Sequence, residues 1–213
     1  MTTPEHTLVG ILGAMAMGLH ARMGWAVIAF AAVASNVPDF DGLPMLYDME
    51  RFEAGHRVWG HNFFAIVASA SLLAASQHFF GWIEWTAQRT SSLFPSDITV
   101  PTTTERNRIG LTTLFAVGVF FQCVHLLCDM LVSGGQGLSD WHVKPFWPMN
   151  NSAFVYPLLP WGDIGPTAIM MGGVIGIAKL GNAKRIAIIC LGLLWAYMAF
   201  RGYARGMLQP FDT

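Results

Sequence analysis

The sequence predicts an all-α, integral-membrane bundle of about four to six hydrophobic helices, forming one domain over residues 1–213. Three observations carry this. Apolar residues make up 54% of the chain and charged residues only 12%, about half the charged share of a soluble domain. Mean hydropathy is positive, at +0.46. The run from Asn62 to Ile83 holds no formal charge and is long enough to cross hydrocarbon.

The elements follow in order. Leu8 to Leu19 is apolar but, at about twelve residues, too short to span comfortably. Met23 to Val37 is a second short run, set off by His20-Ala21-Arg22. The two read as short antiparallel helices, partly inserted or packed on the bundle, with His6 just before the first. Asn62–Ile83 and Ile109–Cys128 read as spans, the latter ending in the Asp129 motif. Ile164–Ala178 and Ile186–Phe200 form a helical hairpin around the basic turn Lys179–Arg185. Gln88–Asn107, rich in Ser, Thr and Pro, reads as an exposed loop. Ser133–Asp163 is a second long connection whose Trp141, Trp147 and Trp161 suit the membrane interface.

Composition excludes several classes. A net charge of −1 is wrong for a nucleic-acid binder. Cys123, Cys128 and Cys190 lie in apolar stretches without C-x-x-C spacing, so no disulfide framework is expected. The first residues lack the basic n-region of a cleaved signal peptide, which favours a retained membrane protein.

The chemistry lies in scattered imidazoles and carboxylates, the ligands of zinc and similar catalytic metals. In order they are His6, Asp39 and Asp41 in N-V-P-D-F-D, His56 and His61 in H-R-V-W-G-H, His125 and Asp129 in H-L-L-C-D, and His142. Back-and-forth threading brings all of them to one side of the bilayer and leaves His20 and His78 at the other. His125 and Asp129, four apart, share a helix face and can chelate one ion. Pro38 disfavours helix at Val37, so Asp39 and Asp41 are expected on an extended or turn segment. His56 and His61, five apart, are about 140° apart on a regular helix. Both reach one ion only if Gly60 breaks the helix; otherwise one ligates while the other moves protons. Arg57 between them is placed to steady an anionic group. Asp140 and His142 are further ligand candidates, and Gly134, Gly135 and Gly137 mark a sharp turn. Each group also has a plainer reading, as a helix cap, a turn residue or an interfacial histidine.

Loops on the site side carry five basic residues against ten acidic, those on the other side seven against three. Basic loops favour the cytoplasm, which puts the metal site on the extracytoplasmic side of the cell membrane.

With these residues in hand, the chain resembles the YdjM-like family of membrane-bound, metal-dependent hydrolases, whose first-described members are LexA-regulated. The resemblance rests on His6, Pro38-Asp39-Phe40-Asp41, His56-Arg57…His61, and His125…Asp129 followed by the glycine turn and Pro148. It covers most of residues 5 to 148. Where the family usually has Thr-His-Ser, this chain has Gly60-His61-Asn62. From about residue 164 onward the match is only in hydrophobicity. The motif order is also distantly similar to zinc-dependent phospholipase C.

The resulting expectation is a hydrolase using metal-activated water, acting on a lipid or other phosphoester. One or two divalent ions, zinc first, would be held by His6, Asp39, Asp41, His56, His125 and Asp129. His61 would be a ligand or the general acid. The alternative is a metal-binding or metal-transporting membrane protein without catalysis.

Overall fold

The computed structural model describes residues 1–90, 109–135 and 140–206. It is all-α, as expected. Helix α1 (Thr3–Ala16) starts well before the apolar run, because Pro4 opens the first turn and the Glu5 carboxylate accepts the Thr2 amide at 2.8 Å. His6 therefore lies inside the helix and not ahead of it. The short α2 (Leu19–Met23) carries His20 between Gly18 and Gly24, both in left-handed backbone that only glycine adopts without strain. Helix α3 (Trp25–Ala34) returns toward the start of α1.

Past α3 the expected turn is a 3-10 helix, Pro38–Leu46, bent 54° from α3. Pro38 stands at its first position, where proline's fixed φ helps and its missing N–H costs nothing. Helix α4 (Met49–Gly55) follows, capped by Asp48. The chain then runs irregularly to Asn62, whose side chain caps α5 (Phe63–Phe80) by accepting the Ala65 amide at 2.9 Å. Helix α6 (Trp82–Thr90) absorbs the start of the expected 88–107 loop, and residues 91–108 lie outside the described ones. Helix α7 (Leu111–Leu131) climbs back to the site. The hairpin of α8 (Ile164–Leu180) and α9 (Ala183–Ala204) is capped by Asp163 and Asn182.

Among the described residues three helices (α5, α7 and α9) are long and apolar enough to cross a membrane. There are four if the bent pair of α3 and the 3-10 helix counts as one. Side chains such as Leu72, Phe79, Phe80 and Phe200 point outward, as lipid-facing surface requires. The bundle is built as a row: α5 packs on α7, α7 on α3, α3 on α1, and α1 on α8 and α9. Small residues set the close approaches. A Cβ on Gly118 would lie 3.2 Å from the Ala70 methyl, and Gly10 of α1 sits directly against Ala31 and Ser35 of α3. The cores are Phe30, Val27, Leu114 and Phe121 on one side of α1, and Leu12, Met170, Leu194 and Met198 on the other.

This threading delivers the starts of α1 and α5 and the ends of α3 and α7 to one end of the bundle. His78 is at the other end, 3.3 Å from the Ile109 carbonyl, and His20 turns the corner after α1. Both stand away from the site, as the helix count expects.

Candidate metal centre

Four donors from three elements meet: His6 of α1, Asp39 of the 3-10 helix, and His125 and Asp129 of α7. One ligand atom from each lies within 4.8 Å of the others. All but Asp39 are buried. Asp129 is the hub. Its Oδ1 is 3.1 Å from His6 Nε2, and its Oδ2 is 3.1 Å from His61 Nε2 and 3.5 Å from His125 Nε2. Asp39 Oδ1 stands 3.4 Å from His125 Nε2. The four-residue spacing of His125 and Asp129 thus puts both on one face of α7, as read from the sequence. The imidazoles of His6 and His125 stack with centroids 3.7 Å apart. Burial first, and the neighbouring His125 second, push the His6 pKa down to about 3, so its ring is neutral and has a lone pair to offer.

Outer partners fix the rings. His125 Nδ1–H donates to the Ser35 carbonyl at 2.7 Å, which turns Nε2 inward to the cluster. Asp41 does the same for His61, accepting from Nδ1 at 2.9 Å. The two Nε2 atoms then face each other at 3.0 Å. Two lone pairs at that separation repel unless a proton or a cation lies between them. Burial opposes charge on His61, yet the hydrogen bonds to Asp129 and Asp41 outweigh it and raise its pKa. The pocket is built to receive positive charge, and its donors can hold a metal ion. Zinc donors at about 2.1 Å sit about 3.4 Å apart around a tetrahedral ion, so modest side-chain contraction closes the set.

Two expected ligands stand one step out. The oxygens of Asp41 are taken by His56 Nδ1 at 3.1 Å, His61 Nδ1 and the Gly60 amide at 2.9 Å. His56 does not reach the four-donor set; it lines a cleft of about 800 Å³ opening on Asp39 and walled by Leu43, Met49, Phe52 and Trp141. His61, expected as ligand or general acid, is fully buried with both nitrogens engaged. The irregular run from His56 to Asn62, between the end of α4 and the start of α5, is what separates the two histidines, and Gly60 is tightly packed within it. A Cβ there would run into the Pro38 carbonyl and lie 3.3 Å from the Asp41 carboxyl carbon. Asp140 and His142 are exposed and outside the cluster. Gly134 and Gly135 have positive φ, while Gly137 lies outside the described residues.

Arg57, expected to steady an anion, is spent on the protein. Nη1 donates to the carbonyls of Asp129 at 2.8 Å and Trp141 at 3.1 Å, and Nη2 to Val132 at 3.2 Å. Nε lies 3.1 Å from Asp129 Oδ2 as an ion pair without hydrogen-bond geometry. The residue is 1% exposed and holds φ at 60°, a left-handed conformation costing about 1–2 kcal/mol outside glycine. It laces the His56–His61 segment to the end of α7. Arg57→Ala is expected to cost about 3–5 kcal/mol by stranding three buried carbonyls and taking one cation from the Asp129 carboxylate. A thermal midpoint in detergent unchanged from wild type would contradict this.

A family model described as YdjM inner membrane protein matches residues 1–208. The chain belongs to that family. The match runs through α8 and α9, well past residue 148, so membership extends over helices whose sequence shows only hydrophobicity. Searches of the curated proteins and of the solved structures found no match. The distant similarity to phospholipase C therefore gains no support. Ser35, whose backbone carbonyl orients His125, and Ser133, which accepts the Trp141 amide at 2.8 Å, were not legible as site residues. A backbone acceptor carries no side-chain signal.

Proposed function

We propose that this YdjM-family inner-membrane protein is a metal-dependent hydrolase acting on a lipid or other phosphoester. The observation that carries the reading is the convergence of His6, Asp39, His125 and Asp129 within 4.8 Å, with the Nε2 atoms of His61 and His125 facing each other at 3.0 Å beside two carboxylates. His6, Asp39, His125 and Asp129 would hold the ion and His61 would join them, with zinc suited to this mix of imidazole and carboxylate. A bound ion of this kind supplies a water of pKa about 7 and polarises an ester oxygen. The chain supplies the rest. His56 faces the cleft with Asp41 on Nδ1, and its Nε2, without a partner among the described residues, is placed to exchange a proton with whatever occupies the cleft. A divalent ion of this kind stabilises charge on a phosphoryl oxygen, hence a phosphoester.

The interior below the cluster favours an enzyme over a conduit. Leu12, Phe30, Ile66, Leu114 and Phe121 fill it, and the polar side chains of Ser69 and Gln122 bond to each other at 2.7 Å. The chain is read as multi-pass, with the centre on the extracytoplasmic side because basic loops gather at the other end.

The test is metal analysis of purified protein followed by a panel of phosphoesters. Zinc is expected at one or two equivalents, lost in His125→Ala and retained in His20→Ala, with hydrolysis following the metal. A protein that carries no metal and takes none up overturns the reading.

A further inference from the structure

Besides the cleft, the fold holds an apolar groove of about 380 Å³ between α7 and α9. Helix α1 forms its floor and is set back by small residues: Gly13 lies under the Phe121 ring and Ala16 closes the far end. Phe120, Val124 and Leu127 make one wall, and Leu191, Leu194 and Met198 the other. Both walls are candidate membrane spans, so hydrocarbon, not water, adjoins the groove. From Phe120 to Leu131 it rises about 16 Å along α7, half the thickness of a bilayer's hydrocarbon core. Its volume is more than twice the ~150 Å³ that holds a benzene ring.

The upper end of the groove lies behind the metal centre, on the other face of α7. Cys128 and Leu131 line the groove, and Asp129 between them turns the other way into the cluster. Met1 lines both this groove and the 800 Å³ cleft. Met1 is buried with its amino group on Asp129 Oδ1, so it stands as the plug between the two, and an occupant of the groove that displaces it meets Asp39 and His56.

We infer that the groove between α7 and α9 holds a hydrocarbon chain of the substrate, an amphiphile whose phosphoester end reaches the metal centre past Met1. This rests on the hydrolase reading and names its substrate class. The polar end stays in the cleft beside Asp39 and Trp141, while the chain lies sideways into one leaflet. The substrate thus arrives from the bilayer and not from water.

The experiment uses the full chain in phosphatidylglycerol vesicles. One probe is phosphatidic acid with a photoactivatable diazirine in mid-chain; a second is the methyl ester of the same fatty acid, which carries the chain without a phosphate and is not a product of phosphoester hydrolysis. Cross-linked residues are mapped by peptide mass spectrometry, and zinc is measured on the same sample. With phosphatidic acid, labels are expected on Phe120, Val124, Leu127 and Leu194, exceeding those on the outward Leu72 and Phe79. Leu127→Trp, at a half-exposed position, is expected to cut the labels on Leu194 about fivefold or more by filling the groove. Ala16→Phe is the second filling variant should the first fold poorly. Even labelling of groove and outer faces in zinc-loaded protein overturns the inference alone. Equal labelling by the two probes means ambient bilayer chains only and overturns the substrate assignment. Absence of zinc overturns the reading beneath it.

Discussion

Asp129→Asn is expected to strip the centre of metal and lower hydrolysis about 100-fold or more, beyond the 10–100-fold typical of losing an outer partner. The substitution keeps the side chain's size and removes its charge. Among the described residues, Asp129 is within reach of His6, His61, His125, Arg57 and the Met1 amino group together. With an amide there, the four-donor set keeps two imidazoles but only Asp39 as an acid, and Arg57 loses its counter-charge. Zinc titration of the purified variant decides the matter. Wild-type affinity would mean that Asp129 is a structural anchor for Arg57 and not a ligand.

His56→Gln is expected to do the opposite: retain zinc and lower kcat by about 10²–10⁴, the usual contribution of a positioned acid–base group. Its ring stands in the cleft wall, stacked on Phe52 and held by Asp41, outside the four-donor set. The readout is the split between metal content, KM and kcat, with only the last moving strongly. A variant that loses its zinc would return His56 to the ligand role that its position in the sequence suggested.

The spans and the site differ in how far their residues announce them. Helix α5 is an uncharged run of bilayer length and α7 is uncharged up to Asp129, and such runs have no other stable solution in lipid. The start of α1 escaped notice because Thr2 and Glu5 look like exposed polar residues until the cap between them forms. Pro38 was read as a helix breaker, yet at the first position of a 3-10 helix it is a helix starter. That change aims Asp39 at His125 and Asp41 at His56 and His61, a division that an extended segment leaves open. The convergence of His6, Asp39, His125 and Asp129 was legible because each lies at the same end of an alternating helix. The roles of His56, His61 and Arg57 were not. Burial and hydrogen-bond partners decide those roles, and three polar residues in a six-residue motif look alike until the run between α4 and α5 takes its irregular course.

His6 and Asp129 lie 123 positions apart, yet their side chains touch. The pocket therefore has no existence in a nascent fragment: α1 must wait in the membrane until α7 has emerged and inserted. Any ion the centre holds would be captured late in biogenesis, because a chain truncated before α7 retains two of the four donors.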